Sequence, residues 1–190
     1  MVAGTPHGKG VYTFENNEKY IGDWTNGVQS GDGKYIFSNQ DSYSGGFQNG
    51  RMTGHGTYNY VNGEIYEGDL LDGARDGHGV MTFRNGESFK GNWQNNKKEE
   101  YGTYTGKDGL LIQGSFVDGL LEQAENITYQ DGSKYVGEME YDAHHGKGKF
   151  LNSESPKGSL CCLMGRSMMA NGRAACVRVR ALTKTSMAIS

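Results

Sequence analysis

Five histidines, a set of clustered carboxylates and a series of Gly-x-Gly tripeptides are the residues of this chain whose types could do chemistry. His7, His55, His78, His144 and His145 could ligate a metal, and the 23-residue separation of His55 and His78 would stack those two along one edge. A metal ladder needs further donors at about 2.0–2.1 Å, and no cysteine lies nearby, so the histidines read as solvated turn residues. Glu64, Glu67, Asp69, Asp72 and Asp76 could supply paired carboxylates for acid–base work or for a cation. Their recurrence at solvent-facing or turn positions points to solubility instead. Gly8-Lys9-Gly10, Gly31-Asp32-Gly33, Gly54-His55-Gly56 and Gly77-His78-Gly79 could cradle a phosphate, but such a cradle opens a helix and these tripeptides open strands. There is no GxxxxGK[ST], HExxH or GxSxG signature. The expectation is a chain with no catalytic residue, no metal and no cofactor.

The elements that carry these residues repeat. The four Gly-x-Gly tripeptides are 23 residues apart, and Gly146-Lys147-Gly148 follows Gly77 by 69, so two further repeats, from Glu100 and Gln123, fit between. Six full repeats span 8–145, within an array over 8–152 that includes the start of a seventh. Residues 1–7 read as part of a preceding repeat. The fifteenth position is always glycine: Gly22, Gly45, Gly68, Gly91, Gly114 and Gly137. Two residues to either side stand Tyr20 and Trp24, Tyr43 and Phe47, Tyr66 and Leu70, Phe89 and Trp93, Ile112 and Phe116, Tyr135 and Met139. Spacing by two puts all three positions on one face of a strand. The glycine opens a gap there for a ring from a neighbouring strand. The first half of each repeat carries its own pair, as in Tyr12 and Phe14 or Tyr58 and Tyr60.

Between the halves lies a turn dipeptide, Asn62-Gly63, Asn85-Gly86, Asp108-Gly109 or Asp131-Gly132, replaced early by Asn16-Asn17 and Asn39-Gln40. These tolerate the positive φ of a tight hairpin. A second left-handed position is expected at Gly27, Gly50, Gly73, Asn96, Gly119 and Asp142. Each repeat is then strand, turn, strand, turn. A lone hairpin is marginal in water, so the hairpins must stack. The fold class is all-β: an elongated, twisted antiparallel meander of 23-residue hairpins, twelve strands long, extending roughly 55–60 Å at about 4.8 Å per strand.

Charge divides the chain. Residues 1–152 hold 13 Lys+Arg and 21 Asp+Glu, a net of −8, and residues 153–190 hold 6 and 1, a net of +5. An acidic body argues against nucleic-acid binding. The basic tail, 153–190, reads as irregular or disordered, because its charges neither cluster nor follow a helical period. Its three cysteines, Cys161, Cys162 and Cys176, fit reduced thiols better than a disulfide framework. No apolar run reaches membrane-span length and the start lacks a basic-then-apolar leader, so the expected setting is cytoplasmic.

Tyr66-Glu67-Gly68-Asp69-Leu70-Leu71-Asp72-Gly73 followed by Gly77-His78-Gly79 resembles the MORN repeat (membrane occupation and recognition nexus), whose hallmark is YxGxW, then a glycine, then GxG. The resemblance covers about three quarters of the chain. It weakens at repeat five, where Glu100 replaces a glycine and Gly106 an aromatic, and at repeat six, where Gln123 and Glu125 replace both leading glycines. The ragged ends suggest a piece of a longer array. The resemblance implies a non-catalytic protein-interaction scaffold, cytoskeletal or associated with a cilium or flagellum. The alternatives it leaves open are a peripheral tether to membrane lipid and the regulatory part of a larger kinase or SET-domain enzyme. A single-layer sheet cannot cover both its faces, so part of the aromatic stripe should stay accessible as a groove. The partner-binding candidates are Tyr20, Trp24, Tyr43, Phe47, Tyr66, Leu70, Phe89 and Trp93. The expected occupant is a helix or peptide of a protein partner, or a second copy of the chain in a homodimer.

Overall fold

The computed structural model describes residues 4–140, 143–151 and the pair Cys161–Cys162. The expectations for Asp142 and for the remainder of the tail lie outside the described residues. Thirteen strands follow one another in a single open sheet whose spatial order is the chain order. They are β1 (Gly8–Thr13), β2 (Lys19–Thr25), β3 (Val28–Ile36), β4 (Ser42–Gln48), β5 (Arg51–Asn59), β6 (Ile65–Leu71), β7 (Ala74–Thr82), β8 (Ser88–Gln94), β9 (Lys97–Thr105), β10 (Leu111–Val117), β11 (Leu120–Thr128), β12 (Lys134–Glu140) and β13 (Ala143–Leu151). A two-residue strand, β14 (Cys161–Cys162), pairs with Lys149 and Phe150 of β13. Every pairing is antiparallel, so the sheet is a meander of hairpins. The thirteenth strand, beyond the twelve of six repeats, is the opening of the seventh.

Two kinds of turn alternate, and the tight one is not where the sequence suggests. Asn62-Gly63 and its equivalents belong to three-residue loops: Asn17 N–H donates to the Phe14 carbonyl (3.0 Å), and Phe14 N–H to the Glu18 carbonyl (2.8 Å). Only the second member of the dipeptide has positive φ, as at Asn17, Gln40, Gly63 and Gly86. That is a type I turn closed by a left-handed residue. The two-residue turns lie at the other end of the repeat. At Asn26-Gly27 both residues have positive φ, 51° and 83°, as they do at Asn49-Gly50, Asp72-Gly73 and Asp118-Gly119. This is the type I′ geometry whose twist matches that of paired strands. Successive tips are joined across the array, with Gly50 N–H donating to the Gln29 carbonyl and Gly73 N–H to that of Met52 (3.0 and 2.9 Å).

A register shift follows the fifteenth-position glycine in repeats one to four, where two extra residues bulge the next strand. The bulge is left-handed at Gly31, Gly54 and Gly77, and at Glu100, whose φ is 54°. A side chain costs about 1–2 kcal/mol in that conformation. Replacing Glu100 by glycine should therefore stabilise the fold by about 1 kcal/mol, raising the thermal midpoint by a few degrees despite the loss of its bond with Asn92.

One face carries the core. The glycines pair across strands, Gly22 with Gly33, Gly45 with Gly56, Gly68 with Gly79, Gly91 with Gly102 and Gly137 with Gly148. Each pair forms a floor for one ring. That ring comes from the same strand, two residues before the glycine, rather than from a neighbouring strand: the Tyr20 ring lies over Gly22 and Gly33, and Tyr43 over Gly45 and Gly56. The pleat already places the side chain of residue i above residue i+2, so removing the Cβ at i+2 and at its partner lets the ring fold down flat.

Candidate interaction face

The eight residues expected to stand open in a groove are instead the packed layer of the sheet. Tyr20, Tyr43, Tyr66 and Phe89 are fully buried, and Trp24, Phe47, Leu70 and Trp93 are at most 8 % exposed. Their rings meet edge to face from one repeat to the next: Tyr20 with Phe47 at 4.9 Å, Tyr66 with Trp93 at 5.6 Å and Phe89 with Phe116 at 5.0 Å between centroids. The glycine floor allows this closure, because rings that lie flat leave room for the neighbouring repeat to cover them. The hydroxyls are not stranded. Tyr20, Tyr43, Tyr66 and Tyr135 donate to the carbonyls of Asp23, Gly46, Asp69 and Glu138, each three residues on. Burial pushes the Tyr43 and Tyr66 phenols up to about 12.

The accessible part of the face is a second row. Phe14, Tyr35, Phe37, Tyr58, Tyr60, Phe83 and Tyr104 pack partly buried against the core. They touch in sequence, Tyr35 with Phe37 at 4.7 Å, Phe37 with Tyr58 at 5.5 Å and Tyr58 with Tyr60 at 4.5 Å. A carboxylate of the preceding repeat holds several of them. Tyr35 donates to Glu18, Tyr58 to Asp41 (3.1 Å) and Tyr104 to Glu87. Burial, reinforced by these bonds, raises Tyr35 and Tyr104 to about 12. Sequence reasoning missed this ladder, although its signal is there: the pairs are 17 residues apart every time.

Asp41 is itself buried and also accepts from the Val61 N–H (2.7 Å) and the Asn39 amide (2.9 Å). Burial works to raise its carboxyl, and those three donors outweigh it, leaving the group below its ordinary value. A carboxylate held low stabilises the fold above its unfolded pKa, about 3.9, and that contribution disappears as pH falls through the folded value. Asp41→Asn should cost about 1–3 kcal/mol at pH 7, with the difference from the parent closing below about pH 4. Urea midpoints measured across that range check it.

Among the described residues, two cations stand over rings of the aromatic face. The Arg75 guanidinium stands 4.4 Å from the Trp93 ring and 5.8 Å from that of Tyr66, and is fixed by the Asn96 carbonyl (3.0 Å). The Lys98 ammonium stands 5.1 Å from Phe89. Arg75 and Lys98 occupy equivalent positions 23 residues apart.

Of the residues first considered for chemistry, His144 is not the solvated turn residue expected: its ring stacks on Tyr135 at 3.9 Å on the aromatic face, with Nε2 2.7 Å from the Tyr129 hydroxyl. Several of the others are held by neighbouring side chains or backbone. His55 Nδ1 is 3.3 Å from Asp69 Oδ1, whose other oxygen accepts the His78 backbone N–H (3.2 Å). Asp72 pairs with Arg51 (2.7 Å), and Asp76 accepts from the Asn95 N–H (3.3 Å). Among the described residues, no three His, Cys, Asp or Glu side chains converge as a metal site. In the same residues, no helix is long and apolar enough to cross a membrane.

Comparison with known proteins places the repeat in a family. The MORN repeat model matches residues 1–19, 20–42, 43–65, 66–88, 89–110 and 135–153. The stretch from 111 to 134 that it passes over contains Gln123 and Glu125, which stand in place of both leading glycines of repeat six. No curated protein matches the chain. Among solved structures, the SAS-4 (dCPAP) TCP domain of Drosophila melanogaster, determined in complex with a proline-rich motif of Ana2, is similar at 16 % identity over 82 % of this chain and 88 % of that one, with a TM-score of 0.46. The wild-type TCP10 domain of Danio rerio CPAP is similar at 15 % identity over 67 % of this chain and 60 % of that one, with a TM-score of 0.41.

Proposed function

The chain belongs to the MORN repeat family, and from that premise we propose that it is a non-catalytic scaffold that takes up a helix or extended segment of a protein partner on its aromatic face. The observation that carries this reading is the second aromatic row. Phe37, Tyr58 and Tyr60 form a continuous, partly exposed strip fixed on buried rings and a carboxylate ladder. Fixed aromatic side chains lose little entropy on binding, which is why such rows make good anchors. Arg75, set among the rings, adds a directional cation. The eight core residues support the face from beneath, and their substitution would act on binding through folding.

The family's association with axonemes, cytoskeletal rings and membrane junctions supports a cytoskeletal or ciliary site of action. The acidic body weighs against the lipid-tether alternative. The test is affinity purification with the full chain beside the double variant Phe37→Ser, Tyr60→Ser, both shown by circular dichroism to be folded. The variant should lose protein partners that the parent retains. Retention of every partner by the folded variant would overturn the reading.

A further inference from the structure

The second aromatic row repeats on every other strand. Tyr35 belongs to β3 and Tyr58 to β5, and Phe37 and Tyr60 follow each of them by two residues. Strands lie about 4.7–4.9 Å apart, so equivalent rings of successive repeats are spaced by about 9.4–9.8 Å along the array. A polyproline II helix has three residues per turn and rises about 3.1 Å per residue, or about 9.3 Å per turn. Laid across the strands, a segment in that conformation brings every third side chain over an equivalent ring. An α-helix covers the same distance in about 1.8 turns, so its side chains rotate off the row. In a β-strand the third residue on points to the opposite side.

We propose that this row binds a polyproline II segment of a protein partner, running along the array with proline at every third position and a Lys or Arg one turn beyond the last of them. The inference rests on the aromatic face being the partner surface. Tyr35, Phe37, Tyr58 and Tyr60 make an unbroken series of ring contacts, and a cavity of about 200 Å³ opens beside them, lined by Phe37, Tyr58, Tyr60, Met52, Leu70 and Arg75. Proline seats in aromatic-lined grooves at low entropic cost, because the segment is extended before it binds. Such a segment has no internal hydrogen bonds, so its carbonyls need donors. The hydroxyls of Tyr35 and Tyr58 are committed to Glu18 and Asp41. That of Tyr60 has no acceptor among the described residues. Arg75 has five N–H groups and directs three at Asn96 and Met81, which leaves donors for the segment's main chain.

Charge sets the register. A step of 17 residues leads from Glu18, Asp41 and Glu87 to a bonded tyrosine, but from Glu64 it leads to Met81. The Glu64 carboxylate therefore has no tyrosine donor, and among the described residues it has no hydrogen bond or ion pair. Arg84 lines the same recess, beside Phe83, without pairing with it. Position 81 is one repeat beyond Tyr58, so a Lys or Arg three residues past the last proline is the one that meets Glu64. Over 1–152 the chain is net −8, which favours a basic segment on approach, and the unpaired carboxylate fixes where its cation rests.

The test titrates the full chain with a fluorescein-labelled peptide of three Pro-Ala-Pro triplets followed by Arg, read by anisotropy. The peptide should bind the parent and not the folded Phe37→Ser, Tyr60→Ser variant. Ending the peptide in Ala instead of Arg should weaken it about threefold, the scale of an exposed ion pair. Glu64→Gln should remove that preference for Arg, and so should Met81→Tyr, which supplies the donor found in the other repeats. Inserting Gly after each triplet, which takes the prolines out of step with the strands, should abolish binding. Equal binding of the interrupted peptide would overturn the proposal, as would no binding to the parent, unchanged binding to the folded double variant, or an Arg preference that survives Glu64→Gln. Capture of partners separates this inference from the broader one. If Phe37→Ser, Tyr60→Ser releases an affinity-purified partner while the peptide does not bind the parent, the face stands and the polyproline II occupant falls.

Discussion

Tyr43→Ala should destabilise the protein by about 3–5 kcal/mol, the range for deleting a buried aromatic. The Tyr43 ring is fully buried over Gly45 and Gly56 and stands 5.4 Å from Phe47. Removing it exposes a glycine floor that no other side chain can cover, because the sheet has no second layer to collapse onto it. Tyr43→Phe keeps the ring and loses only the bond to the Gly46 carbonyl, so it should cost about 1 kcal/mol. Phe89 shows that the array tolerates this change, since it covers Gly91 and Gly102 without a hydroxyl. Urea denaturation of the three proteins checks the order. A Tyr43→Ala cost near that of Tyr43→Phe would mean the ring contributes little beyond its hydroxyl.

Gly45→Ala should be as damaging by the opposite route. A methyl there would stand 2.6 Å from Gly56 Cα and 2.7 Å from the His55 carbonyl oxygen, and would push the Tyr43 hydroxyl aside. Two of those obstacles are backbone, so the strands must separate locally. Overpacking of this kind costs about 1–3 kcal/mol and occasionally more, and displacement of the ring places Gly45→Ala at the upper end. Gly54→Ala is the matched control. Its φ is 72° but nothing lies within 4 Å of the added carbon, so only the left-handed backbone is strained, at about 1–2 kcal/mol. Thermal midpoints for both should separate clearly, and equal losses would contradict the floor-and-ring packing.

Spacing alone made the repeat, the antiparallel meander and the fifteenth-position glycines legible, because a period of 23 superimposes positions that share a backbone geometry. Which residues stay accessible was not legible in the same way. Tyr20 and Tyr35 are both aromatic and share a face, and only the glycine pair beneath Tyr20 lets that ring drop into the core while Tyr35 remains above it. The turn types were exchanged for a related reason. Asn62-Gly63 has the composition of a two-residue hairpin, yet Tyr60 and Glu64 close a three-residue loop around it. The carboxylate ladder was hidden because Glu18 and Tyr35 come from different repeats. Counting within one repeat does not bring them together.

The account stands on the second aromatic row being the surface a partner covers, over a first row that is already closed. Hydroxyl-radical footprinting of the full chain, alone and with a partner recovered by affinity purification, measures this directly. In the free chain Tyr35, Phe37, Tyr60 and Phe83 should be oxidised, while Tyr20, Tyr43, Tyr66 and Phe89 stay protected; the partner should then protect the first set. Oxidation of the second set in the free chain, or partner protection confined to residues such as Val11, Ile21 and Lys90, would contradict it.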